Sequence, residues 1–74
     1  MNNRDETVLK AFGNRLREIR VNKGWSQQKL GLIADISKNQ IGNIERGEVN
    51  VTLISSLAIA KALDISLSEL YEGL

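Results

Sequence analysis

The stretch "SQQKLGLIADISKNQIGNIERG", Ser26 to Gly47, decides the fold. Ser26 reads as a helix N-cap whose hydroxyl accepts from a backbone amide one turn on, with Gln27 opening the helix and Leu30 at its fourth position. Trp25, one residue before the cap, completes a hydrophobic staple with Leu30. The helix then runs from Gln27 to about Ala34, with Leu30, Ile33 and Ala34 inward and Gly31 offering a small surface for close approach. Asp35 marks a turn, because Asp tolerates left-handed backbone better than most residues. Ser37, followed three residues later by Gln40, reads as a second N-cap and capping box. It starts a helix over about 38–46 that keeps Ile41 and Ile44 inward and stops at Gly47. Two short helices joined by "DIS" and packed through Ala34, Ile36, Ile41 and Ile44 form the helix-turn-helix pattern.

Outward from this pair the same signals repeat. Upstream, Leu9, Phe12, Leu16 and Ile19 recur at helical spacing and Gly24 supplies a stop, which predicts a first helix over about Thr7 to Lys23 behind a flexible tail over residues 1–6. Downstream, Thr52 caps a fourth helix to about Leu63, and Ser66 with Glu69 forms a capping box for a short fifth helix to about Glu72. Strict alternation is scarce and Pro is absent. The expectation is one all-α domain over 1–74, a compact five-helix bundle with short connections.

Composition narrows the function. The chain has 74 residues and neither Cys nor His, which excludes disulfides, the common zinc sites and thiol or imidazole nucleophiles. Its acids are scattered and no Gly-rich phosphate loop is present, so the sequence does not read as an enzyme, and it implies no cofactor and no metal. The polar start "MNNRDET" is no secretory signal. The longest uncharged run, Val49 to Ala60, is too short to span a bilayer. The expectation is a cytoplasmic protein without a membrane partner. Charge is uneven: up to Asn50 there are nine Lys/Arg against six Asp/Glu, a net +3, and beyond it one Lys against three acids, a net −2. The N-terminal part suits an anionic partner.

The outward face of the second helix of the pair is "SKNQ" followed by Asn43 and Arg46. Lys, Asn and Gln donate to phosphates or base edges, Asn and Gln can bond an adenine edge bidentately, and Lys reaches guanine acceptors. Solubilising surface is the plainer reading of such a face, and the helix-turn-helix around it favours base contact. Free amides and a partial positive charge at the start of the Gln27 helix would let Ser26 and Gln27 hold a phosphate. Gln28 and Lys29 read equally as solvated surface or as DNA contacts, and Arg15 and Arg17 as exposed charge with some steering value.

With these residues in view, "SQQKLGLIADISKNQIGNIERG" resembles the helix-turn-helix of the Cro and phage-repressor (XRE-like) regulators. "VTLISSLAIAKALDISLSELYEGL" resembles that family's fourth and fifth helices, so the likeness covers nearly the whole chain. It implies a lambda-repressor-like DNA-binding domain. It also implies base reading by Ser37, Lys38, Asn39 and Asn43, phosphate contact by Gln27 and Arg46, and a structural ion pair between Arg20 and Glu45. Ser26, Gln28 and Asn50 join the phosphate candidates. "ERGEVNVTL" is similar to the segment closing the third helix in restriction-modification controller proteins. Three positions depart from the pattern: Asp35 where Gly is usual, Gly31 where Ala is usual, and Ser56 where an apolar residue is usual.

Apolar residues at the far end exceed what a small core needs. Ile54, Leu57, Leu67 and Tyr71 are candidates for a homodimer interface, with core completion as the alternative, most evenly weighed for Ile54 and Leu57. A pair of recognition helices would read a palindromic double-stranded DNA operator with half-sites about one helical turn apart. The length leaves no room for an effector domain, so regulation is expected through concentration, dimerisation or a partner. The rival reading is a protein-binding module, such as the antitoxin of a toxin pair, whose apolar C-terminal face takes a protein partner.

Overall fold

A computed structural model describes residues 3–74. Five helices follow one another, and no strand occurs among the described residues: α1 (Asn3–Asn22), α2 (Gln27–Ala34), α3 (Lys38–Glu45), α4 (Leu53–Leu63) and α5 (Leu67–Leu70). Four of them start on a hydroxyl cap in extended backbone. Ser26 Oγ accepts from the Lys29 amide at 3.0 Å, Ser37 Oγ from Gln40 at 3.1 Å, Thr52 Oγ1 from Ser55 at 3.0 Å and Ser66 Oγ from Glu69 at 3.1 Å. Only α5 closes a full capping box, with the Ser66 amide donating to Glu69 Oε1 at 3.2 Å. At α3 the expected box is half made, since the Gln40 side chain returns no bond to the Ser37 amide.

One connector is used twice. Asp35-Ile36-Ser37 joins α2 to α3, and Asp64-Ile65-Ser66 joins α4 to α5. Each Asp takes the left-handed conformation, at φ 59° and 57°. Each Ile amide then reaches back five residues, Ile36 to the Gly31 carbonyl at 2.9 Å and Ile65 to the Ala60 carbonyl at 3.0 Å. This satisfies carbonyls that a helix end otherwise leaves bare. Each Ser caps the next helix. Gly31 is small for a reason: an added Cβ would run into the Ile36 carbonyl oxygen.

The core is formed by Phe12 and Leu16 of α1, Leu30 and Ala34 of α2, Ile41 and Ile44 of α3, Ile59, Ala60 and Leu63 of α4, and Leu70 of α5. Trp25, Ile36, Leu67 and other partly buried residues pack against it. α3 rests on α1 and α2, while α5 bridges α4 and α1. The α1–α3 crossing depends on Gly13, where a Cβ would collide with the carbonyl oxygens of Ile44 and Glu45. Buried apolar area is the main favourable term, as in any small domain.

The structure corrects several expectations. α1 starts at Asn3 rather than Thr7, so residues 3–6 of the expected tail are helical, and Met1 and Asn2 lie outside the described residues. Asp5 and Glu6 sit in its first turn, where they favour the positive end of the helix. Ile33 was expected inward and is 51 % exposed. The tight approach at Gly31 turns the buried arc of α2 toward Leu30, Gly31 and Ala34 and leaves Ile33 on its edge. α5 ends at Leu70 rather than Glu72, and its C-terminal side is held by Arg15. That side chain donates from Nε and Nη2 to the Glu69 carbonyl at 3.2 and 3.0 Å and from Nη2 to Glu72 Oε2 at 3.3 Å. Arg15 is therefore a tether between α1 and α5, not free surface charge.

Ser56 is fully buried in the place where an apolar residue was expected. Its hydroxyl donates to the Leu53 carbonyl at 2.8 Å and accepts from Tyr71 Oη at 2.8 Å. The polar group is satisfied twice, so its burial carries no desolvation penalty of an orphan. The Tyr71 ring stacks at a tilt on Phe12, centroids 5.6 Å apart.

Candidate nucleic-acid interface

The site grows from a buried frame. Arg20, on α1, sends its guanidinium fork to Glu45 at the end of α3, Nε to Oε2 at 2.6 Å and Nη2 to Oε1 at 2.9 Å. Nη1 donates to the Trp25 carbonyl at 2.8 Å. The side chains are only 10 % and 3 % exposed. The hydrogen bond that Arg20 donates to Glu45 raises the Arg20 pKa above its ordinary value, against the opposing effect of burial. Glu45 Oε1 also accepts from Gln27 Nε2 at 3.0 Å. The Arg20–Glu45 pair therefore ties together α1, the turn before α2, the first residue of α2 and the end of α3. Glu45 also fixes the Gln27 amide: a carboxylate only accepts, so nitrogen faces Glu45 and the second N–H remains available.

Gln27, Lys38, Asn39, Gly42, Asn43 and Arg46 line one open concavity of about 220 Å³. Gly42 keeps its floor low between Gln27 and Arg46. Lys38 and Asn39 are exposed and Asn43 is half-buried. Arg46 follows α3 as its C-cap, donates from Nη2 to Asn43 Oδ1, and pairs through Nε with Glu48 Oε1 at 2.7 Å. This last pair is exposed. Glu48 is a neighbour that the sequence reading did not single out. Its spacing of two from Arg46, across the Gly47 turn, was the available signal.

Other candidates lie elsewhere. Gln28 and Ser37 line a second hollow, of about 370 Å³, with Gly31, Leu32, Asp35 and Ile36, and Lys38 borders both hollows. Ser26 and Ser37 each accept a cap bond on Oγ and keep the hydroxyl hydrogen to donate. Asn50 is not with the α3 residues: it borders an apolar hollow of about 310 Å³ with Val8, Leu9, Phe12, Val51, Tyr71 and Leu74. Lys29 and Lys23 place their ammonium groups 5.1 and 5.2 Å from the Trp25 ring centroid, within cation-π range. Of the apolar candidates, Ile54 is 75 % exposed, Leu57 and Leu67 are partly buried, and Tyr71 is 38 % exposed with its hydroxyl on Ser56. Leu53, beside Ile54, is exposed as well.

Among the described residues no group of His, Cys, Asp or Glu is arranged to hold a metal ion, and no helix is long and apolar enough to cross a membrane. Two short helices set by a left-handed turn, with a polar concavity on the outward side of the second, define a helix-turn-helix protein. The helix-turn-helix family HTH_3 matches residues 16–70, and the chain belongs to it. It is similar in structure to the restriction-modification controller protein C.AhdI from Aeromonas hydrophila. The identity is 43 % and the TM-score 0.86, over 88 % of this chain and 94 % of that one. Control protein C.BamHI from Bacillus amyloliquefaciens is 39 % identical over 62 residues, covering 82 % of this chain and 76 % of that protein. Control protein C.MunI from a Mycoplasma species is 34 % identical over 64 residues, covering 85 % of this chain and 86 % of that protein.

Proposed function

We propose that this chain is a sequence-specific double-stranded DNA-binding transcription regulator, acting as a homodimer on a palindromic operator with α3 in the major groove. The observation that carries this reading is the concavity of Gln27, Lys38, Asn39, Asn43 and Arg46 standing on the Arg20–Glu45 frame. It offers convergent donors on a helix narrow enough for the groove, held by an element that cannot shift without breaking a buried ion pair. Ser37, Lys38, Asn39 and Asn43 read base edges. Ser26, Gln27, Gln28 and Arg46 contact phosphates, and Asn50 joins them only if the duplex reaches past α3 to the loop before α4. Ile54, Leu57, Leu67 and Tyr71 supply the dimer face. No catalytic role is assigned to any residue. Membership of the family and the likeness to three controllers support a controller role within a restriction-modification system.

Selection of duplexes from a random-sequence pool by the purified protein tests this directly. The expected product is a two-fold symmetric consensus with half-sites about one helical turn apart. Failure to enrich any sequence would overturn DNA reading, and enrichment of a lone asymmetric site would overturn the dimer.

A further inference from the structure

Asn reads bases with an amide that has two unlike ends, an accepting oxygen and a donating nitrogen. Left free to turn, it matches the adenine edge, which offers N7 as acceptor and the N6 amino group as donor. Asn39 and Asn43 differ in that freedom. Asn39 is exposed, and no hydrogen bond among the described residues engages its side chain. Asn43 has its Oδ1 held by Arg46 Nη2, and Arg46 is held in turn through Nε by both oxygens of Glu48, at 2.7 and 3.3 Å.

The direction of the Asn43 amide follows from the chemistry of its neighbour. A guanidinium only donates, so only the amide oxygen can face it, and the Glu48 carboxylate beside Nε only accepts, which holds the guanidinium between the two. The Asn43 nitrogen keeps both hydrogens, at a concavity it shares with Lys38 and Asn39. Arg46 Nη1 makes no hydrogen bond and lies beside Gly42, so a phosphate contact and an orienting role are compatible in one side chain.

We propose that Arg46 and Glu48 are specificity-determining residues that turn the Asn43 amide oxygen toward themselves and its nitrogen toward the base, so that guanine is read there in preference to adenine. Guanine alone presents two adjacent major-groove acceptors, N7 and O6. Adenine would bring its N6 donor against an amide that presents its own donor, the oxygen being turned toward Arg46. Neither Arg46 nor Glu48 needs to touch a base. The inference rests on the DNA-reading function proposed above.

Selection from one random-duplex pool, run in parallel with the wild-type protein, Asn43→Ala, Arg46→Met and Glu48→Ala, tests it, with thermal melting to verify that each variant folds. The wild-type consensus should carry guanine at the position that Asn43→Ala randomises. Arg46→Met and Glu48→Ala should admit adenine there, narrowing the guanine-over-adenine preference by about tenfold, while leaving the other read positions in place. Replacing that guanine with 7-deazaguanine should weaken the wild type by about tenfold and Arg46→Met by less. Adenine at the Asn43 position of the wild-type consensus, or a guanine preference unchanged in both Arg46→Met and Glu48→Ala, overturns the proposal. If the wild type enriches nothing, the DNA-reading function itself fails and takes this inference with it.

Discussion

At Glu45 a single carboxylate accepts from Arg20 and Gln27, so its loss reaches both the frame and the site. Breaking a buried pair from one side leaves an uncompensated charge, and Arg20→Met should cost about 3–5 kcal/mol in urea unfolding. A loss below about 1 kcal/mol would show that the pair holds nothing. Reading and positioning separate at Asn39 and Gln27. Asn39→Ala should lower discrimination at particular base pairs by about 1–3 kcal/mol, whereas Gln27→Ala should weaken all duplexes alike, since phosphate contacts carry no sequence information. Equal profiles for the two variants across a panel of site mutants would refute that division. Much at this scale was legible, because α3 presents its polar residues at helical spacing and the family likeness pointed to Arg20 and Glu45. Arg15 was not, since its acceptor lies 54 residues away on α5 and only the packed fold brings them together. Gly13 did carry a signal that went unread: a glycine inside a helix costs about 1 kcal/mol against alanine and so marks a close approach.

The elements are set by local chemistry, and the two Asp-Ile-Ser connectors show how. Left-handed backbone disfavours an L residue by roughly 1–2 kcal/mol, less for Asp. Asp35→Gly should therefore stabilise the fold by about 0.5–1 kcal/mol, after the greater freedom of glycine in the unfolded chain is set against the relief. Gly31→Ala should do the opposite and more strongly, since its Cβ meets backbone that cannot step aside. Thermal melting of both variants checks the pair of signs, and a stabilised Gly31→Ala would contradict the geometry. Helix starts were legible from their Ser and Thr caps. The start of α1 and the end of α5 were less so: α1 extends back to Asn3, where Asp5 and Glu6 in the first turn suit the helix dipole, and α5 stops early where Arg15 takes the Glu69 carbonyl. The exposure of Ile33 was hidden because periodicity gives the width of an apolar stripe, and only the neighbour at Gly31 fixes its centre.

At the scale of the whole molecule, the excess of positive charge before Asn50 coincides with the half that carries α2 and α3, while exposed apolar residues occur in both halves, Val8, Val21, Leu32 and Ile33 before Asn50 and Leu53, Ile54, Tyr71 and Leu74 after it. The proposed function uses the charge division for the DNA end and the adjacent exposed pair Leu53 and Ile54 at the start of α4 for the second copy. Ile54→Lys should leave the helical content unchanged, because the residue is outside the core, and should shift sedimentation from dimer to monomer. A dimer that survives the substitution would move the interface away from the start of α4. Fold and helix order were legible across the chain, whereas the oligomeric face was not, since an exposed apolar residue reads the same whether a partner covers it or water does.

The central claim is that α3 reads sequence, and the most direct measurement is a fluorescence-anisotropy titration of the purified protein on its selected duplex and on a scrambled duplex of equal composition, at several salt concentrations. Base reading predicts at least ~10³-fold tighter binding to the selected duplex, with the preference persisting as salt weakens both. Equal affinity for the two duplexes, vanishing together as salt rises, would mean that the protein senses only phosphate charge and would contradict the account.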